Sequence, residues 1–259
     1  MSTPEIQLWA ETLPGWGIPQ HILDSAPQSP WIHPVAAFTP EGNLFVDTPS
    51  RLRALEVLRN GDSVLDVGCG GGRAAFGLTP PATHVVGVDH QQDMLYVFAK
   101  EATHRELRCV TVLGDWPDVV DETPSCDVVT CHHVLYNVAQ LGAFVDALNS
   151  RADKRVVIEI PQQHPLSSLS AMWKKFWNID RPTSPTSQHA FEAIRSLGYD
   201  AHIELFDIET PVSPVTDQDV EFTRIRLCLT AERDNDIRDF IENNPVTQRH
   251  MATIWWDRK

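Results

Sequence analysis

An α/β domain built on a mostly parallel sheet is the architecture this 259-residue sequence predicts. Three observations predict it. Five apolar, β-branched runs are evenly spaced between Ser63 and Ile160. Segments with one apolar helical face lie between them, and alternating strands and helices form parallel sheets with helical crossovers. The first run, VLDV, breaks at once into glycines, Gly68, Gly70 and Gly72, as a strand does where it turns into a helix.

Residues 1–47 hold seven prolines and three tryptophans, Trp9, Trp16 and Trp31, a composition that predicts an irregular segment wrapped over the rest as a strap or lid. One domain, residues 48–259, follows. Thr48-Pro49 predicts an N-cap with proline at the first helical position, and Leu52, Leu55 and Leu58 carry that helix to Arg59, where Asn60-Gly61 ends it. Gly72 to Leu78 predicts a short helix stopped by Pro80-Pro81. Gln91 to His104 predicts a longer one with Met94, Leu95 and Phe98 on one face. Leu141, Phe144, Val145 and Leu148 recur at i, i+3, i+4, i+7 and predict an amphipathic helix before the fifth run, VVIEI at Val156 to Ile160.

Beyond Ile160 the alternation changes. An insertion, 161–186, puts Leu166, Leu169, Trp173, Phe176 and Trp177 on one helical face. It leaves the sheet at its carboxyl edge, so it reads either as a lid with an aromatic acceptor pocket or as rings plugging a hydrophobic surface. A helix over Ser187 to Leu197 and a sixth strand over Ala201 to Ile208 follow. The second insertion, 212–249, predicts helices at Asp217 to Leu229, capped by Asp217, and at Asp234 to Asn243. MATIWW, Met251 to Trp256, predicts the last strand.

The chemistry is written at the strand ends. Asp66 precedes the glycines, and the second run, VVGVD, ends in Asp89, 21 residues after Gly68. Glycine lets the backbone pass close to a ligand because no Cβ intervenes. An acid at the end of the next strand accepts hydrogen bonds from both hydroxyls of a ribose. A nucleoside-containing cofactor is expected. A dinucleotide fingerprint needs a third glycine where Arg73 stands, which disfavours a nucleotide-dependent oxidoreductase.

D-x-G-x-G-x-G from Asp66 resembles the first motif of class I S-adenosylmethionine-dependent methyltransferases, and the resemblance extends over about Thr48 to Tyr199. It implies a Rossmann-like three-layer sandwich with seven strands in the order 3-2-1-4-5-7-6, the last antiparallel, with helical cap insertions. It implies S-adenosyl-L-methionine as cofactor, with Asp89 on the ribose, Asp115 of VTVLGDW on the adenine amino group and Trp116 against the ring. Asp66, Gly68, Cys69, Gly70, His90, Met94, Gly114 and His132 are the remaining expected cofactor contacts.

The activated sulfonium methyl needs chiefly an aligned acceptor and a site without water, and a base where the acceptor is a hydroxyl or carbon acid. His132 and His133, after the fourth strand, are the candidate catalytic pair. Neighbours on an extended backbone point apart, so one is expected to face the reacting methyl and the other to be held by the protein. Tyr136, His164, Trp173 and Trp177 are the expected acceptor pocket, with Asn137 and Glu159 further candidates. CHH lacks the separated ligand spacing of a zinc site, so no metal is expected.

Composition narrows the function classes. The formal charge is −14, from 35 acids against 21 bases, which disfavours a nucleic-acid partner and favours a small-molecule substrate. No signal-peptide pattern or membrane-length apolar run is present, and the five cysteines include no C-x-x-C; a reduced, cytoplasmic protein is expected. A methyltransferase-like domain that holds the cofactor as a sensor fits the same motifs. Monomer and homodimer both remain open.

Overall fold

The computed structural model describes residues 3–30 and 46–258; Trp31 and much of the anticipated strap lie outside them. Seven strands form one sheet in the order β3-β2-β1-β4-β5-β7-β6. They are β1 (Ser63–Val67), β2 (His84–Asp89), β3 (Arg108–Leu113), β4 (Cys126–His132), β5 (Ala152–Pro161), β6 (His202–Glu209) and β7 (Gln248–Asp257). The first five pair in parallel, and β7 runs antiparallel between β5 and β6. The expected order and the antiparallel last strand are both present.

The central strands are buried on both faces, which is why they read as continuous apolar runs rather than alternating ones. Leu65, Val86, Val129 and Ile158 face one layer, built from α1 (Pro4–Thr12), α6 (Leu141–Arg151) and α8 (Ser187–Ser196). Val64, Val85, Val128 and Val157 face the other, built from α3 (Pro49–Leu55), α4 (Arg73–Phe76) and α5 (Gln92–His104). A third cluster joins α2 (Gln20–Leu23), α7 (Ser170–Trp177), α9 (Asp217–Arg226) and α10 (Asp234–Asn243) into a cap.

Several boundaries differ from expectation, each for a local reason. Where it is described, the amino-terminal segment begins helical rather than irregular: Thr3 caps α1 with its side chain accepting from Ile6 N–H, and Pro4 takes the first helical position. This is the Thr-Pro start expected at Thr48-Pro49, where it also occurs. α3 stops at Leu55 rather than Arg59, with the Arg155 guanidinium donating to the Arg53 carbonyl at 2.7 Å. The cap of α9 is Thr216, one residue before Asp217, in a capping box with Asp219. β7 begins three residues before Met251, because exposed Gln248, Arg249 and His250 pair with β6 without adding apolar pattern.

Candidate active site

The glycine turn, the end of β2 and the end of β3 are stitched together by backbone. Gly68 and Cys69 N–H donate to the Val88 carbonyl at 2.9 and 3.0 Å, and Gly114 N–H donates to the Asp89 carbonyl at 3.1 Å. Asp66, the glycine turn, Asp89 and Gly114-Asp115-Trp116 therefore meet at the carboxyl ends of adjacent strands, where open α/β sheets bind ligands. The turn needs glycine on steric grounds too. Gly68 has φ 70°, and a Cβ there would lie 2.4 Å from Val134 Cγ2.

Asp89 is nearly buried, and its two oxygens accept from Gly70 N–H and Gln91 N–H, both at 2.9 Å. Each carboxylate oxygen carries a second lone pair, so a rigidly held acceptor with free capacity stands where a ribose diol would donate. His90 Nδ1 lies 3.7 Å from Asp89 Oδ1, with its ring largely in solvent. Asp66 is buried more deeply and does not face a ligand directly. It accepts from Ala75 N–H at the start of α4 and from the Thr130 hydroxyl on β4, at 3.2 and 3.1 Å. Burial raises its carboxyl to about 7 against those two hydrogen bonds. Asp66 thus braces the turn. Cys69 and Met94 are buried, and burial pushes the Cys69 thiol up. The Trp116 ring is partly buried, with its N–H donating to the Phe144 carbonyl at 3.3 Å. These residues fit a nucleoside cofactor: an anchored acid, a glycine turn and an aromatic floor share one sheet edge.

Beside the turn lies a cavity of about 140 Å³, bordered by Ser50, Arg73, Thr130, His132, Glu159 and Arg249, with His133 also in its wall. Both histidines meet the same carboxylate: His132 Nδ1 is 4.0 Å and His133 Nε2 3.5 Å from Glu159 Oε1. The expected divergence of neighbouring side chains fails because β4 ends at His132 and His133 adopts φ 62°. That left-handed residue breaks the strand alternation and swings the second ring back toward the first. Burial would push the Glu159 carboxyl up, but His132, His133 and the Ser50 hydroxyl outweigh it and hold the group at about 2. Burial lowers the His132 imidazole, opposed by Glu159 and assisted by His133. Two buried atoms here have no hydrogen-bond partner among the described residues, His132 Nε2 and Glu159 Oε2. A neutral imidazole backed by an ionised carboxylate can accept a proton from a molecule in the cavity.

The four residues expected to form an acceptor pocket lie outside this cavity. Trp173 is fully buried in the cap cluster among Ile22, Leu227 and Ile237, and the Trp177 N–H donates to the Leu227 carbonyl at 2.8 Å. His164 stacks on Trp16 at 4.3 Å, and burial, with Arg181 adding to it, lowers its imidazole to about 4. Tyr136 donates to the Pro161 carbonyl at 3.0 Å and is edge-on to His164. None of the four lines the cavity. An aromatic stripe at helical spacing here fills a core. Ser50, Arg73, Thr130, Ile208 and Arg249 are among the cavity walls that the sequence did not mark as site residues. Ser50 was within reach of the predicted helix start; Arg249 was hidden by the polar beginning of β7.

Strand order, glycine turn and paired acids are arranged as in Rossmann-like methyltransferase folds. Residues 64–151 match the family model described as a methyltransferase domain. The chain is 29% identical over 110 residues to a ubiquinone biosynthesis O-methyltransferase of Coxiella burnetii, a match covering 42% of this chain and 46% of that protein. The chain thus spans about half the length of the curated relatives it matches first. An uncharacterized protein of Haemophilus influenzae is 25% identical over 220 residues, 80% of each chain. The YcgJ protein of Bacillus subtilis shares the fold, with a TM-score of 0.51 at 16% identity over 81% of this chain and 98% of that one. Among the described residues no helix is long and apolar enough to cross a membrane, and no group of three His, Cys, Asp or Glu is arranged to hold a metal ion.

Proposed function

We propose that this protein is an S-adenosylmethionine-dependent methyltransferase acting on the hydroxyl of a small-molecule acceptor, with His132 as general base. The observation that carries the reading is the partnerless His132 Nε2, backed by Glu159, in a cavity adjoining the glycine turn. The cofactor, when bound, supplies a methyl group already activated for in-line displacement at carbon. Asp89 would hold the ribose, Asp115 and Trp116 the adenine, and the turn from Gly68 to Gly72 the methionine portion. His132 would take the hydroxyl proton of the acceptor on Nε2, leaving its oxygen free to accept the methyl group. Glu159 stays ionised and stabilises the imidazolium that forms. His133, at the same carboxylate, orients Glu159. The relatedness to an O-methyltransferase supports oxygen as the acceptor atom. The acidic balance of the chain favours a small molecule over a nucleic acid.

Two measurements test this. Calorimetry should find S-adenosylhomocysteine binding, weakened by ~2–4 kcal/mol in Asp89→Ala, because two charge-assisted hydrogen bonds are lost. Methyl transfer to phenolic acceptors should fall ~10²–10⁴-fold in His132→Gln, with affinity for S-adenosylhomocysteine kept. Full activity in His132→Gln would leave alignment alone as the catalytic device. Binding without turnover of any acceptor would favour the sensor.

A further inference from the structure

Two cations without a partner among the described residues border the cavity from different elements. Arg73 enters from the first position of α4 and Arg249 from the second residue of β7, 176 positions away in sequence. Neither side chain has a carboxylate or hydrogen-bond partner among the described residues, although acids outnumber bases 35 to 21. The third arginine of the wall, Arg51, is already engaged: it donates to the Gly77 carbonyl at 2.7 Å and pairs with Asp47. The cavity's own carboxylate, Glu159, faces the two histidines. Two exposed arginines thus border a cavity whose carboxylate meets the two histidines through Oε1, and a guanidinium fork matches carboxylate and phosphate geometry.

We propose that the acceptor is a small molecule carrying an oxyanion, a carboxylate or a phosphate, held by Arg73 and Arg249 while its hydroxyl meets His132 Nε2. The inference rests on the methyltransferase reading and names its substrate class. The size agrees: about 140 Å³ is close to the ~150 Å³ cavity that admits benzene. The two ends of the site hold different chemistry, so a bifunctional acceptor is fixed in one orientation, with the proton-bearing atom at the histidine end and the anion at the arginine end.

The test uses the full chain saturated with S-adenosylhomocysteine and four probes read by ligand-observed NMR: benzoate, its neutral isostere benzamide, inorganic phosphate and acetate. Benzoate should bind at least tenfold more tightly than benzamide and weaken at least fivefold between 20 and 200 mM salt. Arg73→Gln and Arg249→Gln should each weaken benzoate at least fivefold and leave benzamide unchanged. Phosphate displacing benzoate at lower concentration than acetate does would mark a phosphoryl acceptor; the reverse would mark a carboxylate. Equal binding of benzoate and benzamide, or indifference of benzoate to Arg249→Gln, overturns the proposal. Weakening of S-adenosylhomocysteine alone in Arg73→Gln overturns the role given to Arg73. If S-adenosylhomocysteine itself fails to bind the wild-type protein, the methyltransferase reading fails instead.

Discussion

At the scale of single residues, the site turns on one backbone angle. His133 at φ 62° lets two adjacent histidines share Glu159. Beside His132 are the Glu159 carboxylate and the His133 imidazole, with Arg73 and Arg249 elsewhere in the cavity wall, and burial is the dominant influence on it. With its imidazole lowered, the base form prevails at neutral pH. Turnover is expected to rise with a midpoint below the ordinary ~6.5 and to be flat from pH 7 to 8. Glu159→Gln removes the attraction that opposes this lowering, so the midpoint should move further down; an upward move would remove Glu159 as the partner of His132. Asp66 gives a second pH signature. Its carboxyl is raised from 3.8 to about 7 by burial. Between those values the folded protein holds a proton that the unfolded chain has released. Its contribution to stability is thus complete below ~4 and is lost as pH rises through about 7, at roughly 1.4 kcal/mol per pH unit. Urea midpoints of Asp66→Asn should gain on wild type from pH 4.5 to pH 7; a pH-independent difference would mean that Asp66 is buried as an anion.

At the scale of elements, what was legible depended on whether the signal was local. Thr48-Pro49 and the apolar face of α6 fixed their helices from neighbours in sequence. The strand ends carrying Asp66, Asp89 and Asp115 were readable for the same reason. Thr3-Pro4 carried an equally local signal, but the proline-rich composition of the first 47 residues masked it. The cavity was not legible, because its walls come from α3, α4, β4, β5, β6 and β7, and no sequence pattern states which strand ends meet. The aromatic face of α7 was legible as apolar but not as to what it covers, since its partners Ile22, Leu227 and Ile237 lie on remote elements. The β1–α4 turn shows how tightly one element constrains another. Gly68→Ala is expected to cost ~1–2 kcal/mol for the left-handed backbone and ~1–3 kcal/mol for overpacking against Val134. Gly68→Ala/Val134→Ala should recover the packing part in chemical denaturation and leave the backbone part. Full recovery would show that the backbone angle costs nothing there.

At the scale of the whole molecule, the amino-terminal segment ties the loop after β4 to the insertion after β5. Trp9 is fully buried, stacks on Tyr136 at 5.6 Å and donates to the Val138 carbonyl at 2.8 Å. Trp16 donates to the Ser184 carbonyl at 2.7 Å, and the Arg181 guanidinium returns a hydrogen bond to the Trp16 carbonyl. Tyr136 follows His133 by three residues, so Trp9 holds down the segment that carries both histidines. Trp173 is buried as completely but in the cap cluster, away from the cavity wall. The two tryptophans therefore separate stability from catalysis. Trp9→Ala and Trp173→Ala should each cost ~3–5 kcal/mol, seen as lower denaturation midpoints. Under conditions where both variants remain folded, Trp9→Ala should lower turnover several-fold with S-adenosylhomocysteine affinity kept, because the histidine segment loses its backing. Trp173→Ala should leave turnover near wild type. The opposite pattern, with turnover lost in Trp173→Ala and retained in Trp9→Ala, would place the acceptor against α7 and return the insertion to the role of a lid.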